Sequence, residues 1–259
     1  MVTYPSIAGN LRESFRVIAA SRRAGELREM HGVSIASAGS TFQMFNAAFL
    51  SEPVESPAEL SQRILLATVH FQARGLEWAY WVCEDFIAPA SRRRSRQMFE
   101  KHGLRHSVDL PGMVADHLDP PVRPLPSVDV RRVRNGATRE AFCSIGSLCF
   151  HVPLPWFREV FDSESVWDGF AGYVGYLDGE PVSTTAIVMG CGAIGVYNVA
   201  TIPERQRQGF GEAVMRYAVA DAERAHGASH VILQSTPAGY HLYERMGFRE
   251  VTRVAVYST

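Results

Sequence analysis

The sequence predicts an α/β (α+β) protein built as two tandem domains, each a mixed, mostly antiparallel sheet flanked by helices. Three observations predict it. Strand-like and helix-like segments alternate through the second half in the order that a sheet covered by helices requires. The stretch Asp119-Pro120-Pro121-Val122-Arg123-Pro124-Leu125-Pro126 is too rich in proline for a helix or a central strand and reads as a stiff, extended linker. The segment from Met98 to Arg105, containing Phe99, Glu100 and Gly103, echoes the segment from Leu242 to Arg249, containing Tyr243, Glu244 and Gly247. A chain of 259 residues accommodates two domains of modest size. The expected division is residues 1–118, a linker at 119–126, and residues 127–259.

In the first half, a helix carrying Leu65, Val69 and Ala73 on one apolar face precedes a strand with Trp78, Tyr80, Trp81 and Val82. This pair parallels Val214 to Gln234 in the second half. There, a strand from Val128 to Val133 leads into helices from Ala137 through Phe161. A hairpin turning at Asp178-Gly179 brings in the strand Pro181 to Met189, and Gly190-Cys191-Gly192 turns into a β-branched strand ending at Thr201. Pro203 stops that strand because it has no N–H to give a ladder. From Gly211 onward Val214, Tyr217, Ala218, Ala222 and Ala225 recur at helical spacing, with Glu212, Arg216, Glu223 and Arg224 turned elsewhere and Asp221 at the edge of the stripe. Gly227 closes that helix.

Strand, glycine-containing loop and helix in that order place the backbone N–H groups of Arg207, Gln208, Gly209, Phe210, Gly211 and Glu212 at a helix N-terminus, where they have no intrahelical partners and attract anions. Gly209 and Gly211 let a bulky diphosphate approach the main chain without a Cβ in the way. Arg207 adds a fixed positive charge.

The run Gln206-Arg207-Gln208-Gly209-Phe210-Gly211 resembles the acetyl-CoA signature of the GCN5-related N-acetyltransferase (GNAT) superfamily, Gln/Arg-x-x-Gly-x-Gly/Ala between a strand and a helix. A second motif agrees with it: the strand Val231-Ile232-Leu233-Gln234, a short segment bearing Tyr243, and the pair Gly247-Phe248 opening the next strand. The resemblance runs from about Val128 to the C-terminus and is fainter before it. It implies a tandem pair of such domains and acetyl-CoA as acyl donor. It also implies that the main chain of Val199, Ala200 and Thr201 holds the pantetheine arm, with Val199 polarising the thioester carbonyl. Thr236, Gly239 and Leu242 fall where relatives touch the same arm, and Tyr243 occupies the position of the acid that protonates the departing thiolate. A phenol of ordinary pKa, about 10, holds that proton at neutral pH.

The first half lacks this equipment. Between Thr41 and Leu60 there is no Gly-x-Gly, and Ser51-Glu52-Pro53-Val54-Glu55-Ser56-Pro57 would bring carboxylates to the phosphates. Phe99, the counterpart of Tyr243, has no hydroxyl. The first domain is expected to be catalytically silent, contributing surface to the substrate cleft or to a homodimer.

The general base is less legible. Tyr197 and Asn198, on the strand where many relatives carry Glu, can orient a water but are not carboxylates. His151 is a candidate base, with a structural or surface histidine as the alternative. Between Phe150 and Tyr173, Trp156, Phe157, Phe161, Trp167 and Phe170 stand among Glu159, Asp162, Glu164 and Asp168. A helical core with a solvated face explains them, and a cleft for a cationic amine with an apolar part is the functional alternative. A formal net charge of −1 gives no reason to expect nucleic acid or an anionic membrane as partner. The run Arg92-Arg93-Arg94-Ser95-Arg96 reads as a solvated face, or else as a contact for a phosphate. Val33 to Leu50 is too polar to cross a bilayer, and the N-terminus lacks a basic region followed by an apolar core, so a cytoplasmic protein is expected. Cys83, Cys143, Cys149 and Cys191 show no metal-type pairing and are expected as free, mostly buried thiols. Two functional classes follow: an N-acetyltransferase acting directly on a small-molecule or peptide amine, and a non-catalytic acyl-CoA-binding or interaction protein.

Overall fold

At Gly112-Met113 the chain passes from one folded unit to another. The computed structural model describes residues 3–259. Its helices are α1 (Tyr4–Ala20), α2 (Pro57–Gln72), α3 (Pro89–Lys101), α4 (Gly136–Phe150), α5 (Leu154–Phe161), α6 (Phe210–His226) and α7 (Tyr240–Arg245). The strands are β1 (Glu26–Met30), β2 (Val33–Ser37), β3 (Asn46–Leu50), β4 (Ala79–Cys83), β5 (Arg105–Ala115), β6 (Asp129–Arg132), β7 (Ala171–Leu177), β8 (Glu180–Gly190), β9 (Ala193–Thr201), β10 (Val231–Gln234) and β11 (Arg249–Ser258). One unit comprises Phe15–Gly112 with Glu250–Thr259, and the larger comprises Met1–Ser14 with Met113–Arg249. The division therefore differs from a single cut at residues 119–126: both chain ends lie in the unit that the sequence order would not assign them. Pairing is the reason at the C-terminus, where β11 runs antiparallel to β4 with Val254 opposite Cys83 and Ser258 opposite Ala79.

Within the smaller unit the strand order is β1-β2-β3-β4-β11-β5. Antiparallel pairing joins β1 to β2 and β2 to β3, and β3 then pairs parallel to β4. In the larger unit the order is β5-β10-β9-β8-β7-β6, with β6, β7, β8 and β9 antiparallel and β9 parallel to β10. The two units thus repeat one plan, a run of antiparallel strands (three in the smaller unit, four in the larger) followed by a crossover helix and a parallel strand. The echo between Met98–Arg105 and Leu242–Arg249 extends to the backbone. Leu104 N–H donates to Phe99 O at 3.1 Å and Gly103 N–H to Glu100 O at 3.0 Å, while Phe248 N–H donates to Tyr243 O at 3.0 Å and Gly247 N–H to Glu244 O at 3.1 Å. Both glycines are left-handed, with φ of 84° and 93°, which ends each helix in a glycine cap.

Two helical faces differ from expectation. In α2 the buried apolar residues are Leu60, Ile64, Ala67 and Phe71, whereas Leu65 and Val69 are 50% and 55% exposed. Two stripes of similar spacing compete on this helix, and the one that wins puts Phe71 flat against Trp78, ring centroids 4.7 Å apart. In α6 the core face is Val214, Met215, Ala218, Val219 and Ala222; Tyr217 is half-exposed and Glu212 is buried. Glu212 tolerates this because Arg216, one turn on, donates from Nε to its carboxylate at 2.9 Å and pairs with its charge.

Asn10 fixes α1 to the β8–β9 hairpin. It is fully buried, and its amide N–H groups point at Val188, Gly190 and Ala193 carbonyls at 3.2, 3.0 and 3.3 Å while its oxygen accepts from the Tyr197 hydroxyl at 2.6 Å. A Cβ at Gly195 would collide with this side chain, so the small residue there is a packing requirement. Replacing Asn10 by Ala strands the Tyr197 hydroxyl and the hairpin carbonyls, and at about 1–3 kcal/mol per orphaned group the loss of stability should be about 2–4 kcal/mol. A urea denaturation series checks this; an unchanged midpoint would show that water replaces the amide without penalty.

Candidate active site

The site begins where β9 parts from β10. Its recorded parallel pairing with β10 consists of Val231 with Ile194 and Ile232 with Gly195. From Val196 onward the edge of β9 that faces away from β8 is open to another extended chain. On the β8 side the register slips between Thr184 and Ala186: Tyr197 stands opposite Ala186 and Ala200 opposite Thr184, leaving Asn198 and Val199 to share Thr185. Asn198 takes φ of 50°, a left-handed value that Asn tolerates better than most residues. This bulge turns the β9 main chain just where Val199 begins the segment singled out in the sequence.

Downstream, the end of β9 is clamped. Thr201 O accepts from Gln206 Nε2 at 3.1 Å and from the Cys149 thiol at 3.3 Å, and Ser183, fully buried, donates to Ala200 O at 2.6 Å and lies 3.0 Å from Thr201 Oγ1. A short 3-10 turn, Pro203–Arg205, then lifts the chain into the loop before α6. Arg207 and Gly209 are both left-handed, at φ of 61° and 93°, and Gly209 occupies the N-cap of α6 without any side-chain cap. The first-turn N–H groups of Phe210, Gly211 and Glu212 therefore face outward unsatisfied by a side chain, which is the electrostatic situation that favours an anion. Gly211 is needed for a second reason, since a Cβ there would sit 3.0 Å from Thr201 Oγ1.

Two neighbours of this loop were not singled out from the sequence. Arg123 donates to Arg207 O at 2.8 Å, and a Cβ on Gly209 would meet Pro126 Cδ at 3.0 Å. Both come from the proline-rich stretch, read as a spacer, which packs beside the loop and adds a cation to it. The usable signal was Arg123, a lone cation within the prolines.

Tyr243 lies on α7, buried in an apolar cluster with Val196, Val214, Met215, Leu233 and Phe248, against which Val199 and Leu242 also pack. Gly239 leaves room for its ring, as a Cβ there would lie 2.8 Å from Tyr243 Cε2, and Phe248 meets the ring edge-on at 5.7 Å. Burial pushes the phenol up to about 12, so the group is held in its protonated form. Thr236 is exposed, and its carbonyl accepts from Gly239 N–H at 3.1 Å and Tyr240 N–H at 3.2 Å, forming the turn that opens α7.

Other candidates lie elsewhere. His151 is an exposed, left-handed C-cap of α4, which accounts for it structurally. Tyr197 spends its hydroxyl on Asn10. Phe157, Phe161 and Phe170 are buried under α4 and α5, and among the carboxylates of that region Glu164 pairs with Arg139 at 3.1 Å and Glu140 with Arg158 at 2.6 Å. In the smaller unit Arg92 pairs with Asp85 at 2.8 Å and Arg96 with Glu100 at 3.1 Å on α3. Cys83 and Cys143 are buried, Cys149 is half-buried and Cys191 is exposed, all as free thiols. Among the described residues, no helix is long and apolar enough to cross a membrane.

Residues 166–250 match the family model described as the acetyltransferase (GNAT) domain. This part of the chain is similar to a GNAT acetyltransferase domain. It spans β7 through β10 with α6 and α7, and so contains the open edge of β9, the uncapped helix and Tyr243. The fold of the whole chain is similar to that of a GCN5-related N-acetyltransferase from Kribbella flavida, with 20% identity, a TM-score of 0.73, and 98% of this chain and 95% of the other covered. It is also similar to a GCN5-related N-acetyltransferase from Sphaerobacter thermophilus at 15% identity, TM-score 0.59, covering 98% and 93%. A tandem GNAT protein from the clavulanic acid biosynthesis pathway matches over 100% of this chain and 96% of its own at 10% identity and a TM-score of 0.56. No curated protein matches the sequence. The GNAT fold generally binds acetyl-CoA or another acyl-CoA, and the domain here is that of an acyltransferase. The smaller unit repeats the strand plan of the larger one.

The two ends of α6 make an internal control for the glycine loop. Gly227 caps the helix at φ of 66° with open space around its missing Cβ, whereas Gly209 is left-handed and closely approached by Pro126. Ala at position 227 should cost about 1–2 kcal/mol for the left-handed backbone alone. Ala at position 209 should cost measurably more in the same thermal-unfolding assay, and equal costs would show that the proline-rich segment does not press on the loop.

Proposed function

We propose that the protein transfers the acetyl group of acetyl-CoA directly to a primary amine of a small molecule or peptide. The observation that carries this reading is the coincidence of an unpaired β9 edge with an uncapped helix N-terminus a few residues downstream. The N–H groups from Arg207 to Glu212, with the Arg207 charge and Gly209 and Gly211 clearing the approach, suit the diphosphate of the donor. The main chain of Val199, Ala200 and Thr201 suits the amide-bearing pantetheine arm, which can add to β9 as a further strand. Thr236, Gly239 and Leu242 complete the wall of that channel.

The Val199 N–H donates to the thioester carbonyl oxygen and stabilises the charge that develops there when the amine adds to the carbon. As the tetrahedral state collapses, the C–S bond breaks and Tyr243 O–H gives its proton to the departing sulfur. A phenol at about 12 stays protonated across the working range, and giving its proton to a free thiolate of ordinary pKa, about 8.5, would be uphill by roughly 5 kcal/mol. Transfer is therefore timed with C–S cleavage, while the sulfur is still gaining charge. The amine sheds its own proton to water, in keeping with the absence of a carboxylate at Tyr197 or Asn198.

The test compares the parent with Tyr243→Phe and Gly209→Glu, following thiol release from acetyl-CoA with a panel of primary amines. Tyr243→Phe should lower kcat by about a hundredfold or more with donor affinity unchanged. Gly209→Glu should abolish donor binding, because its carboxylate faces the diphosphate. The kcat of the parent should show no fall with rising pH that belongs to Tyr243 until the pH nears 12, since the raised pKa keeps the acid form present. Full turnover in Tyr243→Phe would remove the phenol from the mechanism.

A further inference from the structure

Gln234 ends β10, two residues past the last residue registered with β9, and its buried side-chain Nε2 has no hydrogen-bond partner among the described residues. A buried amide donor left without a partner costs about 1–3 kcal/mol, so its persistence calls for an explanation outside the isolated fold. Strand alternation says which way it faces. Ile232 is registered with Gly195, whose missing Cβ points at Asn10 and the Tyr197 ring, so Ile232 and Gln234 share the α1 face of the sheet. Val231 and Leu233 point the other way, into the cluster that holds Tyr243. Had the pairing of β9 and β10 continued, Gln234 would stand beside Tyr197. Instead the strands part, and the amide borders the gap on the face opposite the acid.

We infer that Gln234 determines acceptor specificity: its amide N–H donates to a carbonyl or similar oxygen that the amine substrate carries close to its reacting nitrogen. This rests on the acetyl-transfer reading. With Tyr243 serving the departing sulfur on one face, the amine enters from the other, and Gln234 carries an unpaired donor on that face. Tyr197, which continued pairing would set beside it, is already engaged with Asn10 at 2.6 Å. An acceptor lacking such an oxygen leaves the donor buried and unpaired, and a site built to hydrogen-bond a substrate group discriminates strongly against analogues without it.

The experiment uses the full chain with two probe amines on one carbon skeleton, phenylalanine amide, which bears a carbonyl next to the amine-bearing carbon, and 2-phenylethylamine, which does not. The ratio of their kcat/KM values is measured in the parent and in Gln234→Leu, so that the different basicities of the two amines cancel. The ratio should favour phenylalanine amide in the parent and fall at least tenfold in the variant, with KM for acetyl-CoA unchanged. The variant should also melt no lower than the parent, because an orphaned buried amide has been removed. A preserved ratio with turnover retained, or a lowered melting temperature with the ratio unmoved, would overturn the inference and give Gln234 a structural role. Absence of turnover in the parent with both amines would count against acetyl transfer itself, and against this inference with it.

Discussion

The larger unit depends on a sheet that stops pairing in its middle. Two registered pairs join β9 to β10, and beyond Gly195 the strands part while β9 remains held by β8 on its other side. An open edge inside a sheet is costly unless something fills it. Here the surroundings keep it open. The Asn198 bulge re-aims the chain, Ser183, Gln206 and Cys149 fix the carbonyls of Ala200 and Thr201, and α1 is pinned behind the hairpin by Asn10. The opening is therefore built in advance, which lowers the ordering cost of receiving an extended ligand.

The same plan appears in the smaller unit with different residues at its key positions, and the difference can be seen at the two crossover helices. At the start of α6 there is glycine, no side-chain cap and an outward-facing set of N–H groups. At the start of α2, Ser56 Oγ accepts from Glu59 N–H at 3.2 Å, and Glu59 reaches back to accept from Glu55 N–H at 2.9 Å. That helix end is satisfied by the protein's own oxygens, one of them a carboxylate. Arg63, buried one turn on, is turned inward to Glu59 and to Glu52 O. At the other motif, Phe99 stands in place of a tyrosine and stacks on Tyr257 at 4.1 Å. In the smaller unit a side-chain cap and a ring stack stand where the larger unit has an uncapped helix end and a buried phenol.

Much of this was legible in the sequence because it rests on local rules. Pro203, the two glycines of the loop and the alternation from Ile194 to Thr201 fix strand, loop and helix within one stretch of chain, and the hairpin at Asp178-Gly179 carries its left-handed turn openly. What stayed hidden depends on long-range pairing. Asn10 satisfies carbonyls nearly two hundred residues away, and nothing near it in the chain marks it as more than a helix residue. The exchange of β11 into the smaller unit follows from strand register rather than from composition. The stripe of Leu65 and Val69 was misleading because Leu60, Ile64 and Phe71 offer an equally periodic face, and only the stacking partner at Trp78 decides between them. Gln234 looked like an ordinary strand end until the neighbouring strand was seen to leave it.

The central claim is that one of the two repeated units holds an acyl-CoA and the other does not. Calorimetric titration of acetyl-CoA into the full chain measures this directly. The account requires one site per chain; two sites would mean that the capped end of α2 still receives a diphosphate, and no binding would mean that the open edge of β9 serves some other extended ligand.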